Sequence, residues 1–150
     1  MKSLSIVPDS VPSGHNVTAT PVPLHELVNQ LLTGLLPLVV GKKSFIINDV
    51  DRAFHLQTDE NVLAFVVGNL LSGAVNSTEN VCIRIEAVLC DDCMQIRVRN
   101  NAHHFYSTVA NGFSHVVQAA RQLGGNISIY NQQNQGTTVI FSIATQKVAC

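Results

Sequence analysis

Apolar residues along this chain recur with two different periods, and the switches between them mark out the elements. Leu24, Leu27, Val28, Leu31, Leu32, Leu35 and Leu36 fall at three- and four-residue intervals. That stripe predicts an amphipathic helix from Leu24 to Val40. Pro37 is expected to end or kink it, because proline lacks an N–H and its ring collides with the carbonyl one turn back. Ser44 to Ile47 is short and apolar and predicts a strand. Thr58-Asp59-Glu60 offers an N-cap and an acidic first turn to a second helix that runs to about Asn76. Its apolar side is Leu63, Val66, Val67, Leu70 and Ala74. The pattern then turns to strict alternation. Val81 to Leu89 and Met94 to Val98 predict a β-hairpin around Cys90–Cys93. After a loop, Val109 to Leu123 predicts a third helix, stopped by Gly124-Gly125, a pair suited to a left-handed C-cap. Asn126 to Tyr130 and Thr137 to Ile143 predict a second hairpin across residues 131–136.

Helix, strand, helix, two strands, helix, two strands is an order that predicts an α+β fold. The expected architecture is a two-layer α/β sandwich, a mostly antiparallel mixed sheet with the helices on one face. Residues 1–22 hold Pro8, Pro12 and Pro21 with little periodicity and read as a flexible leader. Residues 23–146 read as the domain and 147–150 as a tail.

Composition narrows the function classes. The chain has 150 residues, enough for one domain with a real core. Charged residues make up 13%, about half the usual ~25%. Either Asn, Gln, Ser and Thr carry a neutral surface, or a partner covers part of it. A formal net charge of -1 offers no field for nucleic acid or an anionic membrane, and no basic run appears. Met1 to Thr20 has no uninterrupted apolar stretch and does not read as a secretory signal. Gly, Pro, Asn or charge interrupts the longer apolar stretches, so no membrane span is expected. Four cysteines without a secretion signal suggest reduced thiols in the cytoplasm. Cys90-Asp91-Asp92-Cys93 has metal-type spacing, but there is no second Cys-x-x-Cys, and His103-His104 is the only nearby histidine cluster. The plainer reading is a polar hairpin turn flanked by two thiols, and no metal site is expected.

Four segments in order carry a resemblance. Asp59 to Thr78 contains Asn69-Leu70-Leu71-Ser72. Val98 to His104 reads Val-Arg-Asn-Asn-Ala-His-His. Gly112-Phe113 is followed by Val116 and, at the helix end, Gly124-Gly125. Gly136-Thr137 leads into Val139, Ile140 and Phe141. Together they resemble the ATP-binding domain of sensor histidine kinases, which shares its Bergerat-type fold with gyrase-like and MutL-like ATPases. The resemblance covers about residues 22–145. The first segment looks like the family's Asn box, the second lies where Val-x-Asp-x-Gly-x-Gly is expected, the third looks like the second glycine box, and the last like the closing Gly-Thr and strand. His25-Glu26-Leu27 resembles the start of a phosphoacceptor box, but Leu24 to Leu27 fits the domain's own first helix, and too little chain separates it from Asn69 for a two-helix dimerisation hairpin.

The resemblance assigns positions, and several of them hold the wrong residue. Asn69, Gly73 and Asn76 share one stripe of the second helix at 100° per residue. By family position Asn69 faces the phosphates. Gly73 stands where a second Asn would ligate magnesium, the hard cation a triphosphate needs. Asn100 stands where an Asp would accept the adenine amino proton; an Asn oxygen can still accept, but its NH2 then needs an acceptor of its own. Ala102 and His104 replace two glycines that allow unusual backbone angles and close approach to ligand. Ala110-Asn111-Gly112-Phe113 keeps only Gly112, Thr137 follows the last glycine, and only a short segment from His103 to Gly112 stands where a longer lid is expected.

The resulting expectation is a degenerate histidine-kinase-like ATPase domain of two-component signalling, without catalysis, acting as a docking or regulatory module. Its expected partner is a kinase or response regulator, or a second copy. No cofactor is expected. The alternative is a divergent but working ATP-binding domain of a sensor histidine kinase, using ATP and Mg2+ for phosphoryl transfer to a histidine, with Asn69 and Asn76 recruited for the metal.

Overall fold

The computed structural model describes residues 20–76, 79–90, 92–101, 114–132 and 136–144. Its elements in chain order are β1 (Thr20–Pro23), α1 (Leu24–Gly41), β2 (Phe45–Asn48), β3 (His55–Thr58), α2 (Glu60–Asn76), β4 (Cys82–Leu89), β5 (Cys93–Asn100), α3 (Ser114–Gln122), β6 (Gly125–Gln132) and β7 (Gly136–Ala144). Five strands form one sheet in the order β2-β4-β5-β7-β6. Only β2–β4 is parallel; the other neighbours are antiparallel. The α+β sandwich with a mostly antiparallel mixed sheet is therefore the observed architecture.

Alternation decides which face is covered. Ile83 and Ile85 of β4, Met94, Ile96 and Val98 of β5, and Val139, Phe141 and Ile143 of β7 are buried. Facing them, α2 buries Leu63, Val66, Val67, Leu70, Leu71, Ala74 and Val75. The intervening positions point to the other face, where Arg84, Arg97, Arg99, Glu86 and Gln95 stand. The ion pairs there, Arg84–Asp49 at 3.0 Å and Arg99–Glu86 at 3.8 Å, are solvated and add little to stability.

Local chemistry sets the helix ends. The Asp59 carboxylate accepts from the Asn61 and Val62 N–H groups at 3.0 and 3.2 Å and starts α2. Gly124 takes φ +80° after α3, and its N–H bonds the Arg121 carbonyl, the left-handed stop expected from the sequence.

Two expectations are corrected. Pro37 does not end α1, which continues to Gly41. Thr33, whose carbonyl would be Pro37's partner, faces solvent, and the turn beyond Pro37 is tied down: Val39 is buried, and Lys42, Lys43 and Ser44 N–H groups bond the carbonyls of Leu38, Val40 and Val39. Second, a two-stranded ribbon of β1 and β3 was not expected. It pairs Thr20 with Thr58 and Val22 with Leu56, so β1 takes up the end of the stretch read as leader. Pro21 and Pro23 alternate with Thr20 and Val22, so the missing N–H groups fall on the outer edge.

His25 belongs to the domain's own scaffold. It is buried in α1, and its Nδ1 lies 2.7 Å from the Val50 carbonyl oxygen. A carbonyl only accepts, so Nδ1 carries the proton. Beside it, Asn48 donates to the His25 carbonyl at 3.1 Å and to Asn29 Oδ1 at 2.8 Å, and accepts from the Val50 N–H at 3.2 Å. By length and composition alone α1 is apolar enough to cross a membrane, unlike the expectation from its interruptions. Here Leu24, Leu27, Val28 and Val39 are part of the core, while Leu36 and Val40 are exposed.

Replacing His25 with leucine keeps the bulk but removes the donor to Val50. The expected loss is about 1–3 kcal/mol of unfolding free energy, read from urea denaturation; an unchanged midpoint would remove this bond from the scaffold.

Candidate functional site

The candidate site gathers at the C-terminal end of α2 and the adjoining ends of β5 and β7. Along α2, Asn69, Gly73 and Asn76 form the expected line. Asn69 is exposed, and its amide NH2 donates to the Phe65 carbonyl at 2.7 Å within its own helix. Gly73 is half-buried. Asn76 is exposed, and its carbonyl accepts from Lys42 Nζ at 3.2 Å.

Asn100 is different. It is only 2% exposed, at the end of β5, and its side-chain NH2 donates to the Ala74 carbonyl at 3.3 Å. The last carbonyls of a helix lack partners within it and carry the negative end of its dipole. Asn100 and Lys42 thus supply donors to two of the terminal carbonyls of α2. The acceptor that an asparagine NH2 requires at this position is the end of the helix itself.

Thr137 is 1% exposed and stands opposite Asn100 in the β5–β7 ladder. Gly136 before it has φ +89°, and a Cβ there would sit 2.1 Å from the Asn100 carbonyl oxygen and 2.6 Å from the Asn101 Cα. No side chain fits in that space. The close approach of Gly136 to Asn100 and Asn101 fixes the mouth of the β5–β7 pair.

Of the residues singled out in the sequence, the structure brings Asn100 and Thr137 together and places Asn69, Gly73 and Asn76 along α2. Ala102, His103, His104 and Gly112 lie outside the described residues. Among the described residues no three His, Cys, Asp or Glu side chains come together as a metal site. Sequence reasoning missed Lys42, the first of two adjacent lysines in a turn, whose reach to Asn76 has no local signal. It also missed a groove of about 390 Å3 between α2 and α3, lined by Asn61, Val62, Phe65, His115, Gln118, Ala119 and Gln122. Phe65 was the available signal there: an exposed aromatic one turn before Asn69.

No protein-family model matches this chain, and no curated protein sequence does. Solved structures do. The histidine kinase AdeS of Acinetobacter baumannii superposes with a TM-score of 0.75 at 12% identity, over 88% of this chain and 70% of that one. Full-length ShkA in complex with AMPPNP matches at a TM-score of 0.73 and 18% identity, over 89% of this chain and 33% of that one. The histidine kinase ThkA in complex with the response regulator TrrA matches at 0.69 and 19%, over 87% of this chain and 42% of that one. Further matches include isolated ThkA catalytic domains. The fold is that of histidine kinase catalytic, ATP-binding domains, and this chain spans only part of the longer kinases it matches.

Two substitutions probe this end of the fold. Asn100→Asp sets a carboxylate against the Ala74 carbonyl and is expected to cost about 1–3 kcal/mol at neutral pH. The acid has its pKa raised by that contact, so its protonated form, which can donate, regains stability as pH falls through the carboxylate range. Urea midpoints against pH that ran parallel for the two proteins would contradict this. Gly136→Ala is expected to cost at least about 3 kcal/mol, from the clash and the positive φ together, measured in the same way.

Proposed function

We propose that this chain is a histidine-kinase-type ATP-binding domain of two-component signalling whose nucleotide site has lost its chemistry and which serves as a docking or regulatory module. One observation carries the reading: the Asn100 side chain spends its NH2 on the Ala74 carbonyl. The position that would read adenine holds the end of α2 in place instead. Gly73 adds to this, because it presents no side-chain oxygen where the resemblance places a magnesium ligand. It does not fit a metal–triphosphate group, so no phosphoryl-transfer step is assigned to this site. Asn69, Asn76 and Thr137 are read as remnants of that site, together with Ala102, His104 and Gly112 by their family positions.

The partner in this reading is a protein of a two-component pathway, a kinase or a response regulator, or a second copy of the chain. The response-regulator complex of ThkA supports the first choice. The low charge content supports a protein surface over nucleic acid. We place the chain in the cytoplasm, the compartment that cysteines without a secretion signal suggest.

The test is calorimetric titration of the folded protein with ATP and with ADP, each with and without Mg2+. The expected result is no binding heat up to millimolar nucleotide. Micromolar, metal-dependent binding would overturn the reading in favour of a divergent working site, and an Asn69→Ala, Asn76→Ala double variant would then show whether those amides had taken over the metal.

A further inference from the structure

The hairpin joining β4 to β5 holds a second chemical feature, at the end of the sheet away from Asn100. The ladder between these strands ends with Leu89 opposite Met94, so Cys90 and Cys93 are the next opposed pair. The Cys90 N–H donates to the Cys93 carbonyl at 2.7 Å, which makes them a hydrogen-bonded pair. Directly opposed residues of antiparallel strands point their side chains to the same face. Alternation from Arg84, Glu86 and Val88 on one strand, and from Gln95 and Arg97 on the other, puts both thiols on the face without helices. Opposed Cα atoms in such a pair stand about 5.5 Å apart, inside the roughly 4.4–6.8 Å span of a disulfide, and closure must draw the Cβ atoms in from about 5.5 Å to about 3.8 Å. Both residues are thiols in this structure.

We infer that Cys90 and Cys93 form a redox-active dithiol that closes to an intrachain disulfide by exchange with a low-molecular-weight disulfide such as oxidised glutathione. Cys90 is exposed and Cys93 half-buried, which sets the order of events. The Cys90 thiolate attacks one sulfur of glutathione disulfide; a Cys90–glutathione bond forms and one glutathione thiolate leaves. The Cys93 thiolate then attacks Cys90 Sγ, the cross-strand S–S bond forms, and the second glutathione thiolate leaves. Two protein thiols are oxidised and one glutathione disulfide is reduced to two thiols, the leaving thiolates taking up through solvent the two protons that the cysteines release. Cys82 takes no part, because it lies at the opposite end of β4. The pair alone does not make a metal site, since tetrahedral zinc needs four ligands and no third His, Cys, Asp or Glu joins it among the described residues.

The full chain is equilibrated in glutathione buffers of graded reduced-to-oxidised ratio, quenched with acid, alkylated and digested with trypsin. The peptide from Ile85 to Arg97 carries both thiols and neither Cys82 nor Cys150. The expected result is joint loss of both alkylation sites over one ratio range, with a mass lower by two hydrogens. In Cys93→Ser, with circular dichroism showing an unchanged fold, the reaction is expected to stop at a Cys90–glutathione adduct. Two thiols that stay alkylatable in the most oxidising buffer overturn the inference, as do separate glutathione adducts on Cys90 and Cys93. Capture of one zinc ion by two chains without any disulfide under oxidising conditions overturns it as well.

Discussion

The burial of α2 is the constraint on which the rest of the molecule depends. Leu63, Val66, Val67, Leu70, Leu71, Ala74 and Val75 are wholly removed from solvent. Each large side chain among them contributes about 1.5–3 kcal/mol of transfer free energy. The helix packs against α1 on one side, α3 on the other and β5 beneath. Its axis cannot shift without opening contacts to all three, so its C-terminal carbonyls arrive at a fixed place above the end of β5. That placement makes the 3.3 Å contact from Asn100 to Ala74 available.

The same geometry explains how a polar cleft becomes part of the framework. A buried amide must find both donors and acceptors, and one left unsatisfied costs stability. At Asn100 the NH2 finds an acceptor in a helix-end carbonyl, that of Ala74, and the contact joins strand to helix. Gly136 then fits against the backbone of Asn100 and Asn101 with no room for a side chain. Asn100 and Gly136 therefore hold strand, helix and turn together.

Much of this was legible in the sequence, for identifiable reasons. The second helix and both hairpins carry unbroken periods of 3.6 and 2, and those elements formed within a residue or two of their expected limits. The β1–β3 ribbon was not legible: Thr20–Pro23 and His55–Thr58 are four residues each, and Pro21 reads as part of a flexible leader until an edge position excuses its missing N–H. Pro37 does not end the helix, because its cost is offset by contacts made after the chain folds back, at Val39 and Ser44. At the site, the line of Asn69, Gly73 and Asn76 followed from helical spacing. The need of Asn100 for an acceptor followed from its chemistry. The identity of that acceptor, a backbone carbonyl on another element, has no trace in the order of residues.

The one parallel pairing among the described residues, β2 against β4, has a consequence for the order of assembly. The two antiparallel hairpins close over short loops, whereas β2 meets β4 only after β3 and the whole of α2 have been laid down between them. Distant pairings form late because the entropy of closing the intervening chain must be lost before the contact repays it. During synthesis α1 and β2 leave the ribosome before their partners exist. Leu36, Val40 and Phe45 stay exposed even in the finished fold, and at this earlier stage Leu24, Leu27 and Val28 are bare with them. Until α2 and β4 emerge, the nascent N-terminal third therefore carries uncovered apolar surface of the kind that calls for a chaperone.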